Sequence, residues 1–282
     1  GVRAAKAGLG NPDAPMGVFL LVGPSGVGKT ESALGVADIL FGGERFMTTI
    51  NMSEFQEKQS LSRLIGSPPG YVGYGEGGVL TEAVRQRPYS VVLLDEVEKG
   101  ELEVMNLFYQ VFDKGVLSDG EGRQIDFKNT IVILTSNLAS DIISEMCRGD
   151  KAPTPEQLIE EIRPVLSNHF KPALLARMKI VPFYPIPGEV MGEIVSIKLG
   201  ELGDRLRNSQ KVDFSFSGAV VATIAQRCTE VESGARNVDQ IINHSLLPRI
   251  STELLERMVG EKAPVRLKVE MDEGGDFQLQ FS

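Results

Sequence analysis

The stretch Gly23–Thr30, which reads GPSGVGKT, decides the fold that this sequence predicts. It contains every fixed position of the pattern G-x-x-x-x-G-K-[ST]. Before it, Val18–Val22 is a continuous run of large and β-branched apolar residues, typical of a strand buried on both faces. After it, apolar residues recur at helical spacing as far as Phe41, which predicts a helix. Strand, glycine-rich turn and helix together form the arrangement that binds phosphate groups.

Each residue type in this motif has a physical role at an anion site. The glycines allow the close approaches and torsion angles that turn successive N–H groups toward an anion. Lys29 is long enough to reach the β- and γ-phosphates of ATP, and the Thr30 hydroxyl is a ligand for Mg²⁺. The sequence therefore predicts a nucleotide-phosphate site. The residues of this predicted site are Gly23, Pro24, Ser25, Gly26, Val27, Gly28, Lys29 and Thr30.

Composition and charge restrict the class of protein. Of 282 residues, 42% are hydrophobic and 24% are charged, as in an ordinary globular protein. The formal net charge of −9 disfavours a general nucleic-acid binder, which requires a basic face. Cys147 and Cys228 lie far apart, which disfavours a zinc site or a disulfide framework. No membrane span or signal peptide is evident, so we expect a cytoplasmic protein, and the short lead before the first strand suggests a fragment of a longer chain.

Strand patterns alternate with helical patterns along the first two thirds of the chain. The strand patterns are Val18–Val22, Phe46–Asn51, Ser90–Leu94, Thr130–Thr135 and Lys179–Phe183. Such alternation predicts an α/β fold in which a mostly parallel sheet is flanked by helices. Thr154–Gln157 has the residue types of a capping box that opens a further helix.

Prolines at positions 182, 185 and 187 predict a domain boundary. We therefore expect a large α/β domain at residues 1–184 and a small C-terminal domain at residues 185–282. The small domain is predicted to be mostly helical, with a short sheet. Its helical patterns are Val190–Arg207, Ser217–Arg227 and Ala235–Met258, and its strand patterns are Val265–Val269 and Phe277–Phe281.

Polar side chains follow two of the predicted strands. Asp95 and Glu96 close the run that ends at Leu94, and Asn137 lies just past Thr135. Ligands bind at the carboxyl ends of strands in open α/β sheets, so Asp95 is predicted to hold Mg²⁺ and Glu96 to polarise an attacking water. An acid pair at this place indicates hydrolysis. Asn137 could position the water or read the γ-phosphate, or it could cap the following turn, and its spacing fits both roles.

Gly66–Gly78, which reads GSPPGYVGYGEGG, has too many glycines and prolines to form a packed element. We expect a mobile loop. It nevertheless carries Tyr71, Val72 and Tyr74, and exposed aromatic rings on a flexible loop suit contact with another molecule. The alternative is a turn whose tyrosines pack back against their own domain.

Five segments together resemble a known family. They are GPSGVGKT at Gly23–Thr30, GSPPGYVGYGEGG at Gly66–Gly78, LLDEVEK at Leu93–Lys99, ILTSN at Ile133–Asn137 and SGARN at Ser233–Asn237. In this order they are similar to the second ATPase module of the Clp family of AAA+ unfoldases, over nearly the whole chain. The resemblance implies a hexameric ring that hydrolyses ATP with Mg²⁺ and threads a protein substrate through its pore.

The resemblance also implies residue roles. Asn137 takes the sensor-1 position and Arg236 the sensor-2 position, which touches the γ-phosphate. Arg177 matches the arginine finger that reaches a neighbouring subunit's nucleotide, although Leu174–Arg177 departs from the PEFxNR segment usual in the family. Tyr71 and Val72 match the pore-loop pair that grips an unfolded polypeptide.

Further segments resemble the ClpV branch, the ATPases of bacterial type VI secretion. They are Ser167–Met178, Ser67 before the Tyr71–Val72 pair, and Asp113–Gly115. This resemblance implies disassembly of the contracted secretion sheath, with sheath subunits as the protein partner. A ClpB-like general disaggregase is the alternative. A nucleic-acid motor of similar fold would require basic residues in its pore, so the acidic net charge and the tyrosine loop disfavour it. A scaffold that binds nucleotide without hydrolysing it is disfavoured by Glu96.

Overall fold

A computed structural model describes residues 11–71, 73–149, 151–229, 234–258, 265–272 and 274–282. The backbone forms two compact units. The first comprises the described residues within 11–23 and 28–184, and the second comprises those within 24–27 and 185–282. Within these described residues, none of the helices combines the length and the apolar character that crossing a membrane requires.

The first unit is an α/β structure. Its strands are β1 Gly17–Val22, β2 Met47–Asn51, β3 Val91–Asp95, β4 Val116–Ser118, β5 Gln124–Asp126, β6 Ile131–Ser136 and β7 Lys179–Pro182. Its α-helices are α1 Lys29–Phe41, α2 Leu61–Ile65, α3 Val79–Gln86, α4 Leu102–Lys114, α5 Ser140–Met146, α6 Pro155–His169 and α7 Pro172–Leu175. The capping box predicted at the start of α6 is formed, because Thr154 and Gln157 each accept a hydrogen bond from the other's backbone N–H.

The main sheet of this unit is entirely parallel, in the order β2-β3-β6-β1-β7. Its inner strands are apolar because helices cover both faces: Val91–Leu94 of β3 and all of β6 are buried. The predicted parallel α/β sheet is thereby confirmed. The register pairs Val22 with Ser136 and Leu94 with Leu134, so the residues that follow β1, β3 and β6 emerge at one edge.

A small hairpin, β4–β5, lies against the base of the glycine-rich loop. The N–H of Gly120, in the hairpin turn, donates to the carbonyl of Ile65 at 2.8 Å. A Cβ on Gly120 would lie 2.5 Å from the carbonyl oxygen of Gly66, and one on Gly78 would lie 2.3 Å from that of Leu64. Side chains at these two positions would therefore separate segments that now touch. We call this contact of Leu64–Gly66 with Gly78 and Gly120 the loop neck.

The second unit is mostly helical. Its α-helices are α8 Gly188–Gln210, α9 Gly218–Thr229, α10 Arg236–Ile241 and α11 Leu247–Met258, and its strands are β8 Asp213–Phe216, β9 Arg266–Met271 and β10 Phe277–Phe281. The prediction of two strands was incomplete, because β8 joins the sheet parallel to β9, which in turn pairs antiparallel with β10. The predicted helical stretch Ala235–Met258 is helical from Arg236 onward. A π-helical turn at Ile242–Leu246 separates α10 from α11.

Candidate nucleotide site

The phosphate loop connects β1 to α1 as the sequence predicted. A Cβ on Gly23 would lie 2.5 Å from the carbonyl oxygen of Phe183, so only glycine fits beside that neighbouring segment. Gly28, immediately before α1, has a φ of 93°, a left-handed conformation that favours glycine. Helix α1 begins at Lys29, so its N-terminal N–H groups and its positive dipole end lie at the loop.

Lys29 is held among polar partners at the centre of this region, with a side chain only 8% exposed. Its Nζ donates to the carbonyl of Gly23 at 2.6 Å and to Oδ1 of Asn137 at 2.8 Å. A buried ammonium group requires such partners, because desolvation without them is costly. The structure thus joins the lysine of the phosphate loop to the residue that follows β6, 108 positions later.

Asp95 and Glu96 lie at the carboxyl end of β3, beside β6. Thr135 Oγ1 donates to Asp95 Oδ1 and accepts from the backbone N–H of Glu96 at 3.0 Å. Glu96 has a φ of 56°, so the chain turns sharply as soon as the strand ends. Its carboxylate forms an ion pair with Lys99, with Oε2 and Nζ 2.7 Å apart. Thr135 was not predicted as a site residue, since a threonine inside a buried strand gives no separate signal in the sequence.

Asn137 forms hydrogen bonds to a residue that follows β1 and to one that follows β3. Besides accepting from Lys29, it donates its backbone N–H to Oε1 of Glu98 at 3.1 Å, and its carbonyl accepts from Ser140 Oγ. Glu98 was also missed in the sequence, where it stands among several acidic residues. Together, Lys29, Glu98 and Asn137 form a connected hydrogen-bonded group at the ends of β1, β3 and β6.

The remaining candidates of the first unit lie elsewhere. Arg177 donates from Nε and Nη2 to Oδ1 of Asp113, at 3.1 and 2.7 Å, and from Nη1 to the carbonyl of Ala173 at 2.7 Å. Tyr71 is 71% exposed on the glycine-rich loop, so its ring does not pack back against the domain. Val72 lies outside the described residues.

Arg236 belongs to the second unit, together with the middle of the phosphate loop. Its Nη1 lies 3.4 Å from Ser25 Oγ, and the N–H of the preceding Ala235 donates to the carbonyl of Gly26 at 3.0 Å. The guanidinium group therefore lies beside a phosphate-loop side chain within this unit.

The oxygen donors near the phosphate loop suit Mg²⁺. Among the described residues, no three His, Cys, Asp or Glu side chains cluster as a metal site. Magnesium does not need such a cluster, because it is usually bound by one or two protein oxygens, water and substrate phosphates. The Thr30 hydroxyl in the first turn of α1 and the Asp95 carboxylate at the end of β3 are donors of that kind.

Comparison with known proteins gives the family. The model of the AAA domain (Cdc48 subfamily) matches residues 14–181, more than half of the chain. The chain belongs to the AAA family. A second family model, the C-terminal D2-small domain of ClpB protein, matches residues 187–267. The predicted resemblance to a C-terminal Clp ATPase module is thereby confirmed, and nucleotide binding follows from membership of the family.

Curated relatives agree with this Clp-type assignment. The chain is 51% identical over 262 residues to the AAA+ ATPase ClpV1 of Pseudomonas aeruginosa, covering 93% of this chain and 29% of the relative. It is 48% identical over 255 residues to the chaperone protein ClpB of Yersinia enterocolitica, covering 90% of this chain and 29% of the relative. The ClpB of Meiothermus ruber is 44% identical over 263 residues, covering 93% and 30%. The Clp-type chain thus spans less than a third of the length of these relatives.

Proposed function

We propose that this chain is the ATP-hydrolysing module of a hexameric Clp-type ring that threads protein substrates. The observation that carries the proposal is the convergence of Lys29, the Asp95–Glu96 pair and Asn137 at the carboxyl ends of three adjacent parallel strands. A lysine for phosphates, a carboxylate for a metal and a carboxylate for water are the parts that nucleotide hydrolysis requires.

Each residue has a role in this reaction. The loop Gly23–Thr30 and Lys29 bind the phosphates of ATP, while Thr30 and Asp95 hold Mg²⁺, which neutralises developing phosphoryl charge. Glu96 orients and deprotonates the attacking water. Asn137 places its amide beside that water or the γ-phosphate. The ion pair with Lys99 keeps the Glu96 carboxylate at the strand end before ATP binds.

Two arginines complete the proposed site. We assign residues 1–184 to a large domain and residues 185–282 to a small domain, in which Arg236, as sensor 2, contacts the γ-phosphate. Arg177, as the arginine finger, reaches the nucleotide of the next subunit. Three of its five N–H donors bond to Asp113 and Ala173. The other two have no acceptor among the residues that the structure describes, so they are available for a phosphoryl group. A cytoplasmic location fits a module that uses ATP.

The substrate is an unfolded polypeptide gripped by Tyr71 and Val72, most specifically a subunit of the contracted type VI secretion sheath. The resemblance of Ser167–Met178 to the ClpV branch and the 51% identity to ClpV1 support this choice. A ClpB-like disaggregase is the second candidate. It is supported by the match to the ClpB D2-small domain and by an identity of 48% to a ClpB, only slightly lower.

The experiment is phosphate release per subunit in the protein that contains this module, measured from dilutions at which the ring dissociates up to concentrations at which it is assembled. Glu96→Gln is the matched control, because it keeps the size of the side chain but removes the base. We expect turnover that rises with concentration and falls by about 10²–10⁴-fold in the variant. Flat turnover, or an active Glu96→Gln variant, would contradict the proposal.

Mixing two inactive variants tests whether Arg177 acts across a subunit boundary. Arg177→Ala keeps Glu96, whereas Glu96→Gln keeps the arginine. In rings assembled from equal amounts, about a quarter of the boundaries pair an intact base with an intact arginine, so about a quarter of the wild-type turnover should return. Absence of any recovery would show that Arg177 does not serve its neighbour.

Substrate assays then separate the two candidates. Sheath tubules and an aggregated reporter protein are offered to the same preparation with ATP. Faster disassembly of tubules supports the ClpV-like function, and recovery of the reporter alone supports the ClpB-like one.

A further inference from the structure

Glu98 lies in the 3₁₀ turn Val97–Lys99 that follows the sharp bend at Glu96. Neither the phosphate contacts nor the hydrolytic roles described above use this carboxylate. Its Oε1 accepts the backbone N–H of Asn137 at 3.1 Å, and its Oε2 is buried and has no hydrogen-bond partner among the described residues.

The peptide group between Ser136 and Asn137 is held from opposite sides. Its carbonyl oxygen, that of Ser136, accepts the N–H of Gly23 at 3.2 Å, from the phosphate loop. Its N–H, that of Asn137, is bonded to Glu98 on the side of β3. The orientation of this peptide group determines the direction in which the Asn137 side chain leaves the backbone. Both contacts therefore influence the position of the side-chain amide.

Glu98 replaces a backbone partner that the sheet no longer provides. The register of β3 with β6 runs from Val91 with Ile131 to Leu94 with Leu134 and goes no further, because β3 turns away at Glu96. On the other side, β1 pairs with β6 as far as Ser136. Without Glu98, the N–H of the partly buried Asn137 would lose this acceptor, and an N–H that is removed from water without a partner is costly.

A carboxylate is a poor choice if the only need is one acceptor for this N–H. Its second oxygen loses its hydration without gaining a partner, and buried polar groups in proteins are rarely left in that state. The side chain therefore carries a solvation cost at Oε2 while it keeps an acceptor fixed beside the site.

We propose that Glu98 is a positioning residue for hydrolysis, which acts by holding the Asn137 backbone so that the side-chain amide meets the γ-phosphate or the attacking water. The amide oxygen accepts from Lys29, so its N–H donors are the groups that are presented. The inference rests on the proposed ATP hydrolysis and adds a residue to it. Glu98 acts through Asn137 and makes no contact with the substrate.

Two substitutions in the assembled protein test this role. Glu98→Ala removes the acceptor, whereas Glu98→Gln keeps an oxygen of the same reach. We expect kcat to fall about tenfold or more in Glu98→Ala, because a displacement of about 1 Å at a reacting group has effects of this size, and to stay within about threefold of wild type in Glu98→Gln. The KM for ATP should change by less than about threefold in both, since Glu98 does not bind the nucleotide. Glu103→Ala, which removes an exposed carboxylate paired with Lys58, is the matched control and should retain wild-type kcat.

A double-mutant cycle separates positioning from a general loss of stability. In an Asn137→Ala background, the side chain that Glu98 positions is absent, so adding Glu98→Ala should lower kcat no further. An additional tenfold loss in that background, or equal losses in Glu98→Ala and Glu98→Gln, would overturn the proposal.

The proposed function has a separate point of failure. If the wild-type protein shows no turnover that Glu96→Gln abolishes, ATP hydrolysis itself is rejected. If the wild type hydrolyses ATP and Glu98→Ala does so at the same rate, hydrolysis stands and the role of Glu98 is rejected.

Discussion

Two glycine-rich loops of this chain, Gly23–Thr30 and Gly66–Gly78, have similar composition and opposite surroundings. In the phosphate loop, the functional side chain is drawn inward: Lys29 is 8% exposed and bonded to Gly23 and Asn137. In the second loop, Tyr71 is 71% exposed. Glycine content alone therefore does not tell which loop buries its long side chain and which exposes one.

The difference originates in what flanks each loop. The phosphate loop runs from a buried inner strand into the start of a helix, so its backbone amides and the helix dipole face one point. The loop Gly66–Gly78 runs from the end of one helix to the start of another, and its successive turns at Tyr71, Tyr74 and Glu76 bond only to the loop itself. The first geometry concentrates donors, whereas the second exposes side chains.

Replacing Lys29 should weaken the binding of ATP. Lys29→Met keeps the apolar stem but removes the ammonium, and hydrogen bonds to charged groups contribute about 1.5–3 kcal/mol. We therefore expect ATP to bind about 10–100-fold more weakly, as measured by titration of a fluorescent ATP analogue. The melting temperature of the nucleotide-free protein should change little, because removing a buried charge offsets the loss of its hydrogen bonds to Gly23 and Asn137. Unchanged ATP affinity would mean that the inward-facing lysine is not a phosphate ligand.

Replacing Tyr71 should give the opposite pattern. We expect Tyr71→Ala to retain ATP turnover within about twofold and to lose about tenfold in the rate of substrate threading, because an exposed ring supplies contact area without supporting the core. The readouts are phosphate release and disassembly of the protein substrate. Tyr89→Ala is the matched control, since that tyrosine is 60% exposed outside the loop. Equal losses of threading rate in Tyr71→Ala and Tyr89→Ala, or no loss in Tyr71→Ala, would contradict the distinction between the two loops.

The smallest expected effect concerns α3, which follows the second loop. Hydrogen bonds from Arg85, and then from Gln86, lower the pKa of Glu82 from 4.5 to about 2. A carboxyl whose pKa is lowered by folding contributes stability above its unfolded pKa and loses it as pH falls toward the folded value. Glu82→Gln should therefore be slightly less stable than wild type at pH 7, and the difference should vanish between about pH 4.5 and pH 2.

Denaturant midpoints at pH 7, 5, 4 and 3 measure this convergence. Glu160→Gln serves as the control, because this exposed carboxylate on α6 has no ion pair within the described part of the chain. A gap between wild type and Glu82→Gln that persists unchanged to pH 3 would contradict the assigned pKa.

The sequence was informative where a local pattern has one physical cause. The run Val91–Leu94 and the motif Gly23–Thr30 predicted a buried strand and a strand–turn–helix, because burial and glycine torsions are properties of the segments themselves. The short strand Asp213–Phe216 escaped prediction because its partner β9 lies some fifty residues later and its own length gives little periodicity. The π-helical turn at Ile242–Leu246 was missed for a related reason, since a single inserted residue hardly changes a helical pattern.

The same limit applies to the site. Lys29, Asp95 and Glu96 could be predicted as site residues because each belongs to a pattern formed by its neighbours in the sequence. Thr135 and Glu98 could not, because each is distinguished only by a hydrogen bond to a residue about forty positions away.

The loop neck, where Leu64–Gly66 touches Gly78 and Gly120, has a mechanical consequence. Force applied at Tyr71 would be carried by both arms of the loop to the loop neck, where the two arms are joined. There the load would divide among α2, α3 and the β4–β5 hairpin, whose Gly120 N–H bonds to the Ile65 carbonyl. A base closed in this way would resist peeling one residue at a time, so tension on the loop would reach three elements at once.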